Sequence, residues 1–193
     1  MKLVYFHGFA SSGASGSAQL LRTRFRSDRV VAPDIPLDPA EALPFLKAYC
    51  AAEKPDLIVG TSMGGMYAQQ MRGYLRICVN PSFHMSKLYN IVKPGRFTWL
   101  NKRRDGEREG KLTPAIIAHF REMEAHQFEG LTDADRELCY GLFGRRDPIV
   151  HGYDEFSALY PHARWFDGEH RLNDDTVDAV VVPLVRQLLA LHP

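Results

Sequence analysis

The sequence predicts a single α/β domain built on a mostly parallel, doubly wound sheet of about six strands with helices on both faces. Three observations predict it. Short apolar runs recur along the chain, each followed by a turn and then a stretch with helical spacing, the alternation of a parallel sheet covered by helices. Runs such as Leu57-Ile58-Val59 are continuously apolar instead of alternating, which suits strands buried on both faces. The length, 193 residues, is enough for one well-buried core and short for two ordinary domains, so residues 1–193 are read as one domain.

Taken in order, Leu3–Phe6 is the first strand and Ser15–Phe25 the first helix. Val30–Ala32 follows as a strand that ends in the proline-rich turn Pro33–Pro36, and Pro39–Glu53 reads as a helix. Leu57–Val59 is a strand, Met63–Tyr74 a helix and Leu75–Val79 a strand. After Pro81 the pattern breaks into a long stretch with aromatic residues, a mixed-charge run and a helix start at Thr113-Pro114. Residues 81–135 are therefore expected to form a helical lid or cap insertion, because long loops inside compact domains usually serve function or carry structure of their own. Leu138–Phe143 and Ala163–Phe166 complete the strands, and the apolar segment Ala179–Val185 packs on the core as part of a C-terminal helix.

Composition excludes several classes. With 45% hydrophobic and 24% charged residues the chain matches soluble globular proteins and not disordered or membrane-spanning ones. A formal net charge of +1 provides no overall field to draw nucleic acid or an anionic membrane, so neither is expected as a partner. Cys50, Cys78 and Cys139 are odd in number and far apart, and read as reduced, buried small residues. The strand-like start Lys2–Phe6 lacks the pattern of a signal peptide, which makes the cytoplasm the expected compartment.

The chemistry concentrates in four places. Gly60-Thr61-Ser62-Met63-Gly64 is a Gly-x-Ser-x-Gly sequence between a strand and a helix, the context in which a sharp turn presents a nucleophilic serine. Side chains at Gly60 or Gly64 would collide there; the bland alternative is that Ser62 is only a helix N-cap. His7-Gly8-Phe9 follows the first strand, and the N–H of Phe9, together with that of Met63, would form an oxyanion hole. His7 itself reads as a buried side chain that shapes this loop.

Asp147, in Gly144-Arg145-Arg146-Asp147, and His170, in Asp167-Gly168-Glu169-His170, both lie just past strand ends, where loops of a parallel sheet converge. The order serine, acid, histidine suits a triad in which His170 takes the Ser62 proton and Asp147 fixes its tautomer. Asp167 is a rival acid, but it is too close in sequence to bridge from another strand. His119 and His126 are spaced to share a helix face without a third metal ligand, so no metal site is expected. Phe83, Phe97 and Trp99 are candidates to line an acyl pocket, though aromatic residues fill ordinary cores as well. The run Lys102–Lys111 mixes signs and reads as a solvated lid loop; if it were an anion patch, Arg103, Arg104 and Lys111 would suit the phosphates of an acyl-coenzyme A.

Together the strand-HGF opening, GTSMGG, the strand end Val79-Asn80-Pro81, GLFGRRD and GEH resemble the YqiA-like esterase family of small bacterial α/β-hydrolases, over nearly the whole chain. The resemblance implies the single-domain α/β-hydrolase fold, Ser62, Asp147 and His170 as catalytic triad, and Phe9 and Met63 at the oxyanion hole. It also implies a serine esterase or thioesterase acting on a small-molecule acyl substrate, with no metal or organic cofactor. The alternatives are a non-catalytic hydrolase-like binding scaffold or an acyltransferase. A nucleotide-binding module is disfavoured, because the Gly8–Ser17 loop matches neither a phosphate loop nor Gly-x-Gly-x-x-Gly. Substrate identity and oligomeric state are not encoded in these motifs.

Overall fold

The computed structural model describes residues 1–90 and 94–192, with the side chains of 88–90 outside the description. Six strands form the central sheet: β1 (Lys2–Phe6), β2 (Arg29–Val31), β3 (Leu57–Thr61), β4 (Arg76–Val79), β7 (Cys139–Gly144) and β8 (His162–Phe166). Their order is β2-β1-β3-β4-β7-β8, and every pairing is parallel. β3, β4 and β7 are buried along their whole length, as strands covered on both faces must be.

Two apolar layers flank the sheet. On one face α1 (Gly16–Arg24) and α7 (Val182–Leu191) cover Leu3, Tyr5, Val59 and Ile77. On the other, α2 (Pro39–Glu53), α3 (Met63–Gln69), α4 (Pro114–His126) and α6 (Tyr153–Ser157) pack over Val4, Phe6, Ile58 and Cys78. The alternate residues of β1 thus feed different layers, which is the strand period of two expressed in a doubly wound core. Cys50, Cys78 and Cys139 are buried free thiols in the second layer.

Helix limits follow local chemistry. Asp38 accepts from the Ala40 N–H and Pro39 opens α2 without needing a donor of its own. Lys54, at φ +48°, closes the same helix. α3 stops at Gln69 instead of reaching Tyr74, because the chain must reverse into β4. Gly73, at φ +78°, makes the turn. Arg72 donates to the Gln69 carbonyl (2.9 Å) and the fully buried Arg76 to that of Met71 (2.8 Å), satisfying carbonyls that helix continuation would have used. The C-terminal helix contains a π turn at Val177–Val181 just before Pro183, whose missing N–H and bulky ring disturb the regular ladder.

The segment 81–135 is not purely helical. Its residues 91–93 lie outside the described ones. Besides a 3₁₀ turn at Met85–Asn90, α4 and the short α5 (Asp133–Glu137), it holds an antiparallel hairpin, β5 (Gly95–Thr98) and β6 (Glu109–Leu112), that the sequence reading missed. Short, half-exposed strands joined by a ten-residue charged loop carry neither a long apolar run nor a tight turn signal. No helix of the described residues is long and apolar enough to cross a membrane.

Candidate active site

The sheet order reverses between β1 and β3, since β1 pairs with β2 on one side and β3 on the other. Loops leaving the carboxyl ends of neighbouring strands diverge at such a point and open a crevice. The loop after β1 carries His7-Gly8-Phe9, and the turn after β3 carries Ser62.

Close packing forces that turn into a strained shape. Ser62 sits at φ +55°, ψ −121°, a region costly for a residue with a side chain. A Cβ on Gly60 would lie 2.2 Å from the Gly64 carbonyl oxygen, and one on Gly64 would lie 2.1 Å from the Phe6 carbonyl oxygen. Strand and helix therefore cross at backbone contact. Ser62 occupies the N-cap position of α3, yet its side chain makes no capping bond. Its Oγ instead lies 3.1 Å from His170 Nε2. That removes the N-cap explanation of this serine.

His170 Nδ1 lies 2.7 Å from Asp147 Oδ2. With Nδ1–H donating to the carboxylate, Nε2 carries the lone pair that accepts the Ser62 hydroxyl proton. Asp147 is buried, and its other oxygen accepts the backbone N–H groups of Ile149 (2.8 Å) and Val150 (3.1 Å), which hold the carboxylate in a local turn. Asp167, the rival acid, is exposed and paired with Arg146. Residues from three loops, 108 and 23 positions apart, are thereby brought into one hydrogen-bonded chain.

The loop after β1 runs directly against Ser62: a Cβ on Gly8 would sit 3.4 Å from Ser62 Cβ. Met63 opens α3, so its N–H has no partner within the helix. His7 is buried; its Nε2 accepts the Ile35 N–H (3.0 Å) and its Nδ1 donates to the Gly8 carbonyl (2.8 Å). Burial lowers its pKa from 6.5 to about 4, outweighing the Gly8 carbonyl, so the ring is a neutral brace for this loop.

Asn80 was not singled out as a site residue from the sequence. It ends β4 at φ +43°, and its amide donates to the carbonyls of Glu169 (2.9 Å) and His170 (3.1 Å) while its Oδ1 accepts the Gly144 N–H (2.7 Å). One buried side chain thus ties the histidine loop and the acid loop to the strand beside the elbow. An asparagine just past an apolar strand, where αL geometry is tolerated, was the available signal.

The three aromatic candidates separate. Phe83 is buried and lines a cavity of about 290 Å³ between residues 81–87 and 149–155. Phe97 stacks near Phe9 (5.1 Å between centroids) and Trp99 (4.9 Å), on the side of the β1 loop. The following loop binds that segment repeatedly: Leu100 N–H to the Ala10 carbonyl, Asn101 to Ser11, and Ser12 to the Lys102 carbonyl. Arg103 is buried over the Trp99 ring (4.4 Å) and bonds Asp105 and the Ile35 carbonyl, so the expectation of a solvated loop fails for this residue. Arg104 and Lys111 are exposed. His119 pairs with Asp38 and His126 with Glu129. A larger cavity of about 520 Å³ lies between α2 and α4; Ser62, Asp147 and His170 line neither cavity, but the walls of the smaller one are hydrogen-bonded to Ser62 and Asp147.

A six-stranded parallel sheet flanked by helices, with a serine on a strained strand-to-helix turn, defines the α/β-hydrolase class. Solved structures share this fold at low identity. Mouse alpha/beta hydrolase domain-containing protein 10 aligns with TM-score 0.69 at 14% identity, over 100% of this chain and 90% of that one. Est1E from Butyrivibrio proteoclasticus aligns with TM-score 0.65 at 13% identity over 98% and 88%. The Pyrococcus furiosus esterase Pf2001 gives 0.58 at 14% over 97% and 80%. No curated protein sequence matches the chain. Residues 2–140 match the model of the uncharacterised protein family UPF0227, and the chain belongs to that family.

Proposed function

We propose that this protein is a serine hydrolase that cleaves a carboxylic ester or thioester through an acyl-enzyme. One observation carries the reading: a single imidazole lies within hydrogen-bond reach of both Ser62 Oγ (3.1 Å) and a buried carboxylate on another loop (2.7 Å). Family membership and a fold shared with solved esterases agree with it.

In this reaction Ser62 Oγ attacks the substrate carbonyl carbon as its proton passes to His170 Nε2. The carbonyl π electrons move to oxygen, and the resulting oxyanion meets the N–H groups of Phe9 and Met63. Collapse breaks the bond to the leaving oxygen or sulfur, which takes the proton from His170. Water then enters, gives its proton to His170, attacks the acyl carbon and releases the acid, with the proton returned to Ser62 Oγ. Asp147 keeps the imidazole in the productive tautomer and faces the imidazolium that forms twice in the cycle.

The test is hydrolysis of p-nitrophenyl esters by the parent and by Ser62→Ala at matched folding. Turnover should fall by at least ~10⁴-fold in the variant. Equal turnover in both would remove Ser62 from the reaction.

A further inference from the structure

We propose that the 290 Å³ cavity whose walls hydrogen-bond to Ser62 and Asp147 seats the acyl group of the substrate, and that its size selects a short or medium apolar acyl chain or a single ring. This rests on the esterase reading above and adds the substrate class.

Both walls of the cavity are bonded to the triad. On one side, the Ser82 N–H donates to the carbonyl of Ser62 (3.0 Å). On the other, the Ile149 and Val150 N–H groups donate to Asp147 Oδ1. The same bonds that position nucleophile and acid therefore position the walls. The deep part is apolar: Pro81, Phe83, Met85 and Gly152 are buried, while the His84–Glu155 pair (2.8 Å) stands at the exposed mouth.

The wall is held before substrate arrives. Phe83 packs against Phe128 (5.2 Å) and Phe156 (6.4 Å), and its carbonyl accepts from Gln127 (2.9 Å). Glu124 accepts both the backbone N–H and the hydroxyl of Ser86. α4 thus grips the segment that lines the cavity. A fixed apolar hollow favours a matching group without the entropy cost of forming the site.

The occupant follows from the order of bond making. The acyl group remains attached to Ser62 through both half-reactions, so a fixed apolar seat serves it throughout. The leaving group must depart and water must reach His170 by the vacated path. An apolar hollow on that path would disfavour the entering water.

Size sets the limit. At ~30 Å³ for a water-sized group, the cavity holds on the order of ten such groups. Gly152 sets its floor: an added Cβ would lie 3.1 Å from the Pro81 carbonyl oxygen and 3.2 Å from the Phe83 ring. Its φ of −96° is ordinary backbone, so a larger residue there acts through space and not through strain.

The experiment compares kcat/KM for p-nitrophenyl acetate, butanoate, octanoate and dodecanoate in the parent, Gly152→Val and Val150→Phe, with Ser62→Ala as the control for chemistry and thermal melts as the control for folding. Val150 is half-buried at the rim and offers a second way to narrow the cavity should Gly152→Val not fold. The parent should peak at chains of about four to eight carbons, and the octanoate-to-acetate ratio should fall at least tenfold in each folded variant. An unchanged ratio in the folded variants, with turnover still dependent on Ser62, overturns the seat and leaves the esterase reading intact. Turnover that survives Ser62→Ala overturns both.

Discussion

Asn80 is the residue whose geometry says most about how the site is held. Three bonds from one carboxamide reach both the loop that carries His170 and the loop that carries Asp147. Asn80→Gly keeps the left-handed backbone at φ +43° free of strain while deleting those bonds, so it separates conformation from contact. With Ser62 and His170 no longer held in register, kcat/KM for an activated ester should fall by ~10²-fold, with folding retained in the far-UV circular dichroism spectrum. Full activity in Asn80→Gly would make the three bonds irrelevant to catalysis. His7 gives a prediction in pH. Its folded pKa of about 4 lies below the unfolded value of 6.5, so between these values the unfolded chain binds more protons. The stabilisation is complete above pH 6.5 and is lost as pH falls toward 4, to a total of roughly 3 kcal/mol. Urea denaturation at pH 7 and pH 4.5 should show a larger loss of stability for the parent than for His7→Gln; equal losses would contradict the assignment.

The hairpin β5–β6 is the element that gives the insertion a clear mechanical task. Phe97 on β5 contacts the Phe9 ring, and the loop beyond it hydrogen-bonds Ala10, Ser11 and Ser12. The hairpin therefore braces the loop that carries Phe9, whose N–H we propose as an oxyanion donor. Phe97→Ala should lower stability by about 2 kcal/mol, below the ~3–5 kcal/mol of a fully buried aromatic because Phe97 is half-buried, and slow the acylation step measured in single turnover. A variant that is destabilised with unchanged single-turnover rate would confine the hairpin to a structural part. The six parallel strands were legible mainly because β1, β3, β4 and β7 carry short apolar runs bounded by turn residues, and the fully buried β3 and β7 lie inside the sheet. The hairpin was illegible for the same reason in reverse: β5 and β6 alternate exposed with covered positions over only four residues each. The early end of α3 depends on Arg76, seven residues beyond Gln69, and a long-range cap of this kind has no local pattern.

Across the whole molecule, one reversal in strand order does the assembling. β1, β3, β4, β7 and β8 all point their carboxyl ends the same way, so His7-Gly8-Phe9, Ser62, Asn80, Asp147 and His170 meet at one edge although the chain visits them over more than 160 residues. Ser62, Asp147 and His170, which the structure joins by hydrogen bonds, each follow a strand recognisable in the sequence, and their chain order is the one a proposed triad requires. The proposed substrate seat has no such signal, since Phe83 faces a cavity made by two distant loops while Phe97 packs on Phe9 and Trp99 on Phe97.

The most direct measurement is mass spectrometry of the protein after reaction with a fluorophosphonate probe. A single adduct mapped to the peptide containing Ser62, formed rapidly in the parent, slowed strongly in His170→Ala and absent in Ser62→Ala, is the expected result. No adduct at Ser62 in the folded parent, or labelling that proceeds equally without His170, would contradict the proposal that His170 activates this serine for acyl transfer.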